Sequence, residues 1–186
     1  MDLEAPAAVP PDLSRPLEEL DHWARTSLSP RNNDHVVAAL EAGVVGDAVV
    51  IARSHAPASL ESFRPFRDRA GRAHRFAFAK TVEDVGVEAL QLIRDSRHVA
   101  LDVDLDCFST LSDAHPDEVV PWDADHIEAF LRPPDSGPFW ELLFARTRLV
   151  TIAREPYHCG GLSRGARLWL DFAEVFFGRL LGVPAP

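Results

Sequence analysis

Val99-Ala100-Leu101-Asp102-Val103-Asp104-Leu105-Asp106-Cys107-Phe108 is the stretch on which the fold turns. It starts apolar, as a central strand of a parallel sheet should, and acidic residues then recur at every second position. On an extended chain, residues i, i+2 and i+4 point the same way. A strand over Val99–Asp106 therefore sets Asp102, Asp104 and Asp106 on one side, with Val103 and Leu105 on the other. Three neighbouring carboxylates repel each other, and burying them unpaired is costly. A hard divalent cation such as Mg²⁺ or Mn²⁺ is the direct remedy, because it suits oxygen ligands. The competing reading is an edge strand with an acidic, solvated face. The position of the carboxylates at the C-terminal end of the run favours a metal, since α/β sheets gather functional groups there.

Outward from this strand, the pattern alternates helix and strand. Leu17–Leu28 reads as a short helix with Trp23 on its apolar side. A capping turn at 29–34 leads into a helical run, His35–Ala42, which Gly43 stops. Ala48–Ala52 reads as a buried strand. A hairpin around Ala70-Gly71 explains the flanking Phe66, Phe76 and Phe78. Val85–Arg94 has helical spacing, Ser109–Pro121 reads as a polar loop, and Trp122–Leu131 as a helix with Asp123 near its start. After the break at 133–138 come a helix (Phe139–Arg146), a strand (Leu149–Ala153), a Gly160-Gly161 loop and a last helix, Ser163–Leu181. Such alternation predicts βαβ units and a mainly parallel sheet with helices on both faces. One α/β domain over 1–186 is expected, with Met1–Pro16 irregular.

The second chemical signal is Leu149-Val150-Thr151-Ile152-Ala153-Arg154-Glu155-Pro156-Tyr157-His158-Cys159-Gly160-Gly161. An apolar strand runs directly into Arg-Glu-Pro, and Pro156 favours an extended Glu155, presenting its carboxylate at the strand exit. Glu155 suits a cationic group of a substrate, with Arg154 beside it; the plainer alternative is a surface ion pair between Glu155 and Arg154 or another neighbour. His158 is either a proton shuttle or ligand, or a polar loop residue. His35 reads as part of a helix cap, and His115 and His126 as members of acidic, solvated loops. Cys107 lacks a suitably spaced His or Asn partner for thiol chemistry and reads as packing. Neither a Gly-rich phosphate loop nor a Gly-x-Ser-x-Gly elbow occurs.

The bulk numbers narrow the field. A net charge of −10 argues against nucleic acid or an anionic membrane as the main partner. Two cysteines make no disulfide framework, so a reducing, cytoplasmic setting is expected. No apolar run reaches the roughly 18–20 residues of a membrane span, and Met1–Pro11 lacks the features of a signal peptide.

Asp102-Val103-Asp104-Leu105-Asp106-Cys107-Phe108-Ser109 resembles the Asp-Ile-Asp-Leu-Asp-x-Phe-Ser segment of an uncharacterised bacterial group in the arginase–deacetylase (ureohydrolase) superfamily. Thr151-Ile152-Ala153-Arg154-Glu155-Pro156, with Gly160-Gly161 after it, resembles that group's second signature, and Ser29-Pro30-x-Asn32-Asn33 resembles a third, fainter one. The likeness spans about residues 30–180. It implies a three-layer arginase-like fold and a Mn²⁺ centre, dinuclear in an intact homologue. It also implies hydrolysis of the guanidino group of arginine, in a peptide or a small guanidino substrate, to ornithine and urea; the group's superfamily relatives include the peptide arginases. The pattern Asp-x-Asp-x-Phe is best matched by Asp104 and Asp106, with Phe108 in register; Asp102 and Asp104 form the other possible pair, so all three stay candidates. Glu155 falls where arginases hold the guanidinium. One departure stands out: the superfamily's Asp-x-His-x-Asp ligand strand has no counterpart here, although Met1-Asp2-Leu3-Glu4 resembles its tail, with Asp2 as the final ligand. The expectation is a chain that has lost its first strand. Two further functions are carried: a deacetylase-like amidohydrolase, ranked lower because those favour Zn²⁺ and His ligands, and a non-catalytic domain with an incomplete metal site.

Overall fold

The computed structural model describes residues 15–27, 36, 39, 40, 42–51, 64–68, 70–115 and 117–183. Asp2, the capping turn at 29–34 and most of the His35–Ala42 run lie outside the described residues. The chain divides into two compact units, 1–80 and 81–186.

In the first unit, helix α1 (Leu17–Ser27) buries none of its residues. Strands β1 (Ala48–Ile51), β2 (Arg64–Arg67) and β3 (Ala73–Ala79) form one sheet in the order β1-β3-β2. β1 runs parallel to β3, while β2 and β3 form the antiparallel hairpin expected around Ala70-Gly71. The hairpin's turn is held by a buried polar knot. Asp68 accepts hydrogen bonds from the backbone N–H of Arg72 (2.8 Å), from Arg72 Nε (2.6 Å) and from His74 Nε2 (3.1 Å). The other ring nitrogen of His74 meets the carbonyl of Gly46, which leads into β1. Burial pushes the Asp68 carboxyl up, but the hydrogen bonds from His74 and Arg72 outweigh it and hold the group at about 2.

The second unit carries the acidic strand. Helix α2 (Val87–Asp95) buries Ala89, Leu92 and Ile93, the spacing of one helix face. It is followed by β4 (Val99–Asp104), a 3₁₀ turn (Leu105–Phe108), β5 (Ser109–Leu111), β6 (Val119–Pro121), α3 (Ala124–Leu131), α4 (Gly137–Arg146), β7 (Thr147–Ala153) and α5 (Leu162–Ala173). The last helix continues through a π-helical stretch, Glu174–Leu180. β4 and β7 pair in parallel, with Asp102 opposite Thr151 and Asp104 opposite Ala153.

Two expectations are corrected. The strand stops at Asp104 and does not run on to Asp106. Leu105 and Phe108 are both buried, at 0% and 2% exposure. A strand would send residues three apart to opposite faces, whereas a 3₁₀ turn stacks them on one side. Burial of these two side chains thus favours the turn. The second correction concerns Ser109–Pro121, expected as a loop. Its ends pair as an antiparallel hairpin, Thr110 with Val120 and Leu111 with Val119, and only the polar middle is loop.

Phe108 anchors the turn in an aromatic core, with ring centroids 6.1 Å from Trp122, 5.9 Å from Phe130 and 5.4 Å from Phe172. Truncating a ring buried like this to alanine typically costs about 3–5 kcal/mol. Asp123 caps α3 by accepting from the backbone N–H of His126 (2.9 Å), as its place at the helix start suggested. Cys107, read as buried packing, is only half-buried; Cys159 is the fully buried thiol.

The architecture is mixed α/β with small sheets, some strands parallel. Among the described residues the strands form three separate sheets, β1-β3-β2, β4-β7 and β5-β6, rather than one broad parallel sheet. No helix among the described residues is long and apolar enough to cross a membrane.

Candidate functional site

The chemistry gathers where β4 and β7 end side by side. Parallel pairing puts both C-termini at the same edge, so Asp104 and the segment after Ala153 meet there. The 3₁₀ turn after Asp104 folds Asp106 back toward it. Asp104 lies within hydrogen-bonding reach of both the backbone N–H and the carboxyl of Asp106, and close enough to Glu155 to feel its charge. Burial first, then the negative charges of Asp106 and Glu155, hold the Asp104 carboxyl up at about 6. Asp104 Oδ1 is buried and has no hydrogen-bond partner.

Asp102 shares a strand face with Asp104 but points to different company. It is solvent-exposed, and its Oδ1 accepts a hydrogen bond from Thr151 Oγ on the neighbouring strand. Of the three aspartates read as one cluster, the structure brings together Asp104 and Asp106, with Glu155 beside them.

After β7 the chain folds into a compact loop. The carbonyl of Glu155 accepts from the N–H groups of His158 (3.0 Å) and Cys159 (3.2 Å), and that of Pro156 from Gly161 (2.8 Å). His158 is exposed, its Nε2 3.7 Å from Glu155 Oε2, so it stands next to the carboxylates with its ring in solvent. Arg154 turns elsewhere: its guanidinium stacks over the ring of Trp169, 5.2 Å from the centroid. Cys159 sits beneath the loop, fully buried, its thiol donating to the carbonyl of Arg154 at 3.6 Å. Burial, then the charges of Asp106, Asp104 and Glu155, push this thiol up to about 11, so it is neutral and unreactive at physiological pH.

Does this donor set fit a metal ion? The nature of the donors fits: they are carboxylate oxygens suited to a hard divalent cation, and one buried oxygen lacks any partner. The arrangement is incomplete. Among the described residues, no group of three or more His, Cys, Asp or Glu side chains is disposed to hold a metal ion. Asp2, the remaining candidate ligand, lies outside the described residues.

Two residues near the site carry no mark in the sequence. Arg164, in the first turn of α5, and Glu118, at the start of β6, join across 46 residues at 2.5 Å. Only the fold reveals such a pair. No family model, curated protein or solved structure matches the chain.

Proposed function

We propose that the chain is a metal-dependent hydrolase of the arginase–deacetylase type, with a three-layer arginase-like fold, acting on the guanidino group of arginine, in a peptide or a small guanidino compound, to give ornithine and urea. The observation that carries the reading is the buried, unpartnered Oδ1 of Asp104 held against Asp106 and Glu155 at the end of two parallel strands. Like charges crowded in this way are costly unless something positive joins them.

In this account Asp104 and Asp106 hold Mn²⁺, with Asp102 outside the cluster. When bound, the metal lowers the pKa of a coordinated water and stabilises negative charge on the reacting centre. The protein's own groups do the rest. Glu155, at the strand exit, orients the cationic end of the substrate by a charge-assisted bond. His158, within 3.7 Å of Glu155 and open to solvent, accepts and releases protons at the mouth of the site. Arg154 serves the site through its backbone: its carbonyl receives the Cys159 thiol, while its side chain lies on Trp169.

The test is urea release from an arginine-containing peptide and from free arginine, with the chain loaded with Mn²⁺. Urea from either supports the reading, and the ratio identifies the substrate form. Acetate release from an acetylated lysine peptide without urea would point to the deacetylase-like alternative. The incomplete ligand arrangement favours a second reading, a non-catalytic domain with an unfinished metal site. Metal binding without turnover of either substrate would establish it.

A further inference from the structure

The two acidic arms of the site leave the β4–β7 pair in different directions. One runs from Asp106 through the 3₁₀ turn into the β5–β6 hairpin, with Ser109 Oγ donating to the carbonyl of Asp106 at 2.7 Å. The other runs from Glu155 through the loop into α5. They meet again at Arg164. Its Nη1 donates to the carbonyl of Val119 at 2.6 Å, and its Nη2 to Glu118 at 2.5 Å, both on the hairpin.

The loop is packed so closely around this junction that two positions exclude a side chain. A Cβ on Gly160, whose φ is +82°, would lie 2.9 Å from Val119 O and 2.9 Å from Arg164 Cδ. One on Gly165 would lie 3.3 Å from Pro156 Cα and 3.5 Å from Cys159 Cβ. The loop carrying Glu155 and His158 is therefore wedged between the hairpin and α5, with Arg164 tying the two. We propose that Arg164 is a positioning residue: by bonding the Val119 carbonyl it fixes the Glu155 arm against the Asp106 arm and so sets the carboxylate spacing a cation requires. This rests on the metal-binding reading above. The ion pair with Glu118 is half-exposed on both sides and contributes little alone. The bond to a backbone carbonyl gives the tie its geometric definition.

The test is Mn²⁺ affinity of the full chain by calorimetry, alongside its melting temperature. Arg164→Ala should weaken Mn²⁺ binding about tenfold, the usual scale for removing a support of metal ligands. Arg164→Lys, which keeps one donor for Val119 O, should recover most of that loss. Arg132→Ala, which removes the surface pair with Glu128 (2.7 Å), should leave affinity unchanged. If Arg164→Ala does not fold, Gly160→Ala replaces it, and its Cβ should weaken binding in the same way. Wild-type affinity in both Arg164→Lys and whichever of these two variants folds, or an equal loss in Arg132→Ala, would overturn the proposal alone. A wild-type chain that binds no Mn²⁺ would overturn the metal reading and this proposal with it.

Discussion

The carboxyl group of Asp104 meets that of Asp106 just beyond the end of β4, because a 3₁₀ turn folds the chain back within two residues. The site depends on this turn. An uninterrupted strand would space the same side chains about two residues' rise apart, roughly 7 Å, on one face. The turn trades that regular row for a tighter pair, and the buried Leu105 and Phe108 hold it in place.

Crowding at Asp104 makes the metal-free protein sensitive to pH in a defined direction. Its folded carboxyl titrates at about 6 against an ordinary 3.8. Between those values the unfolded chain releases its proton first. Stability therefore falls as pH rises from about 4 to 6, and the full cost applies above it. Asp104→Asn removes the charge and keeps the shape. In chelator-treated protein it should raise stability at pH 7.5 by about 1–2 kcal/mol, allowing for partial solvent access, and change little at pH 3.5. Thermal melts of both forms at the two pH values check this; a variant less stable at pH 7.5 would contradict it.

The knot at Asp68 should respond in the opposite sense. Its carboxyl is held at about 2 by His74 and Arg72 despite burial. A depressed carboxylate lends stability above its ordinary pKa, and that stability drains away as pH falls toward 2. Asp68→Asn should lower the melting temperature at pH 7, and the gap to the wild type should close as pH approaches 2. A gap independent of pH would show that shape, rather than charge, accounts for the effect.

Cys159 and Cys107 should differ sharply toward alkylation. The Cys159 thiol is buried and pushed up to about 11, so its thiolate fraction at pH 8 is negligible. Iodoacetamide at pH 8 should label Cys107 and spare Cys159 in the folded chain, with both labelled in denaturant. Peptide mass spectrometry reads the outcome. Rapid native labelling of Cys159 would mean that the loop over it opens readily.

Much of this was legible in the residues and some was not. Apolar runs ending in acid predicted both β4 and β7, and their parallel pairing placed Glu155 at the same edge as Asp104. The period-two pattern of Asp102, Asp104 and Asp106 misled, because alternation is equally consistent with a strand that ends partway through it. What decides is tertiary: Leu105 and Phe108 needed one buried face, and the aromatic core formed by Trp122, Phe130 and Phe172 supplied it. The hairpin at 109–121 was hidden by its short strands and polar middle. Arg164 was invisible because its partners lie 45 and 46 residues away.

The account turns on whether Asp104 and Asp106, rather than Asp102, bind a divalent ion. Titration of Mn²⁺ followed by electron paramagnetic resonance, on the wild type and on Asp102→Asn, Asp104→Asn and Asp106→Asn, tests it directly. Saturable binding to the wild type and to Asp102→Asn, with a loss of about tenfold or more in each of the other two, is the expected result. No saturable Mn²⁺ binding to the wild type, or equal affinity in all four proteins, would contradict it.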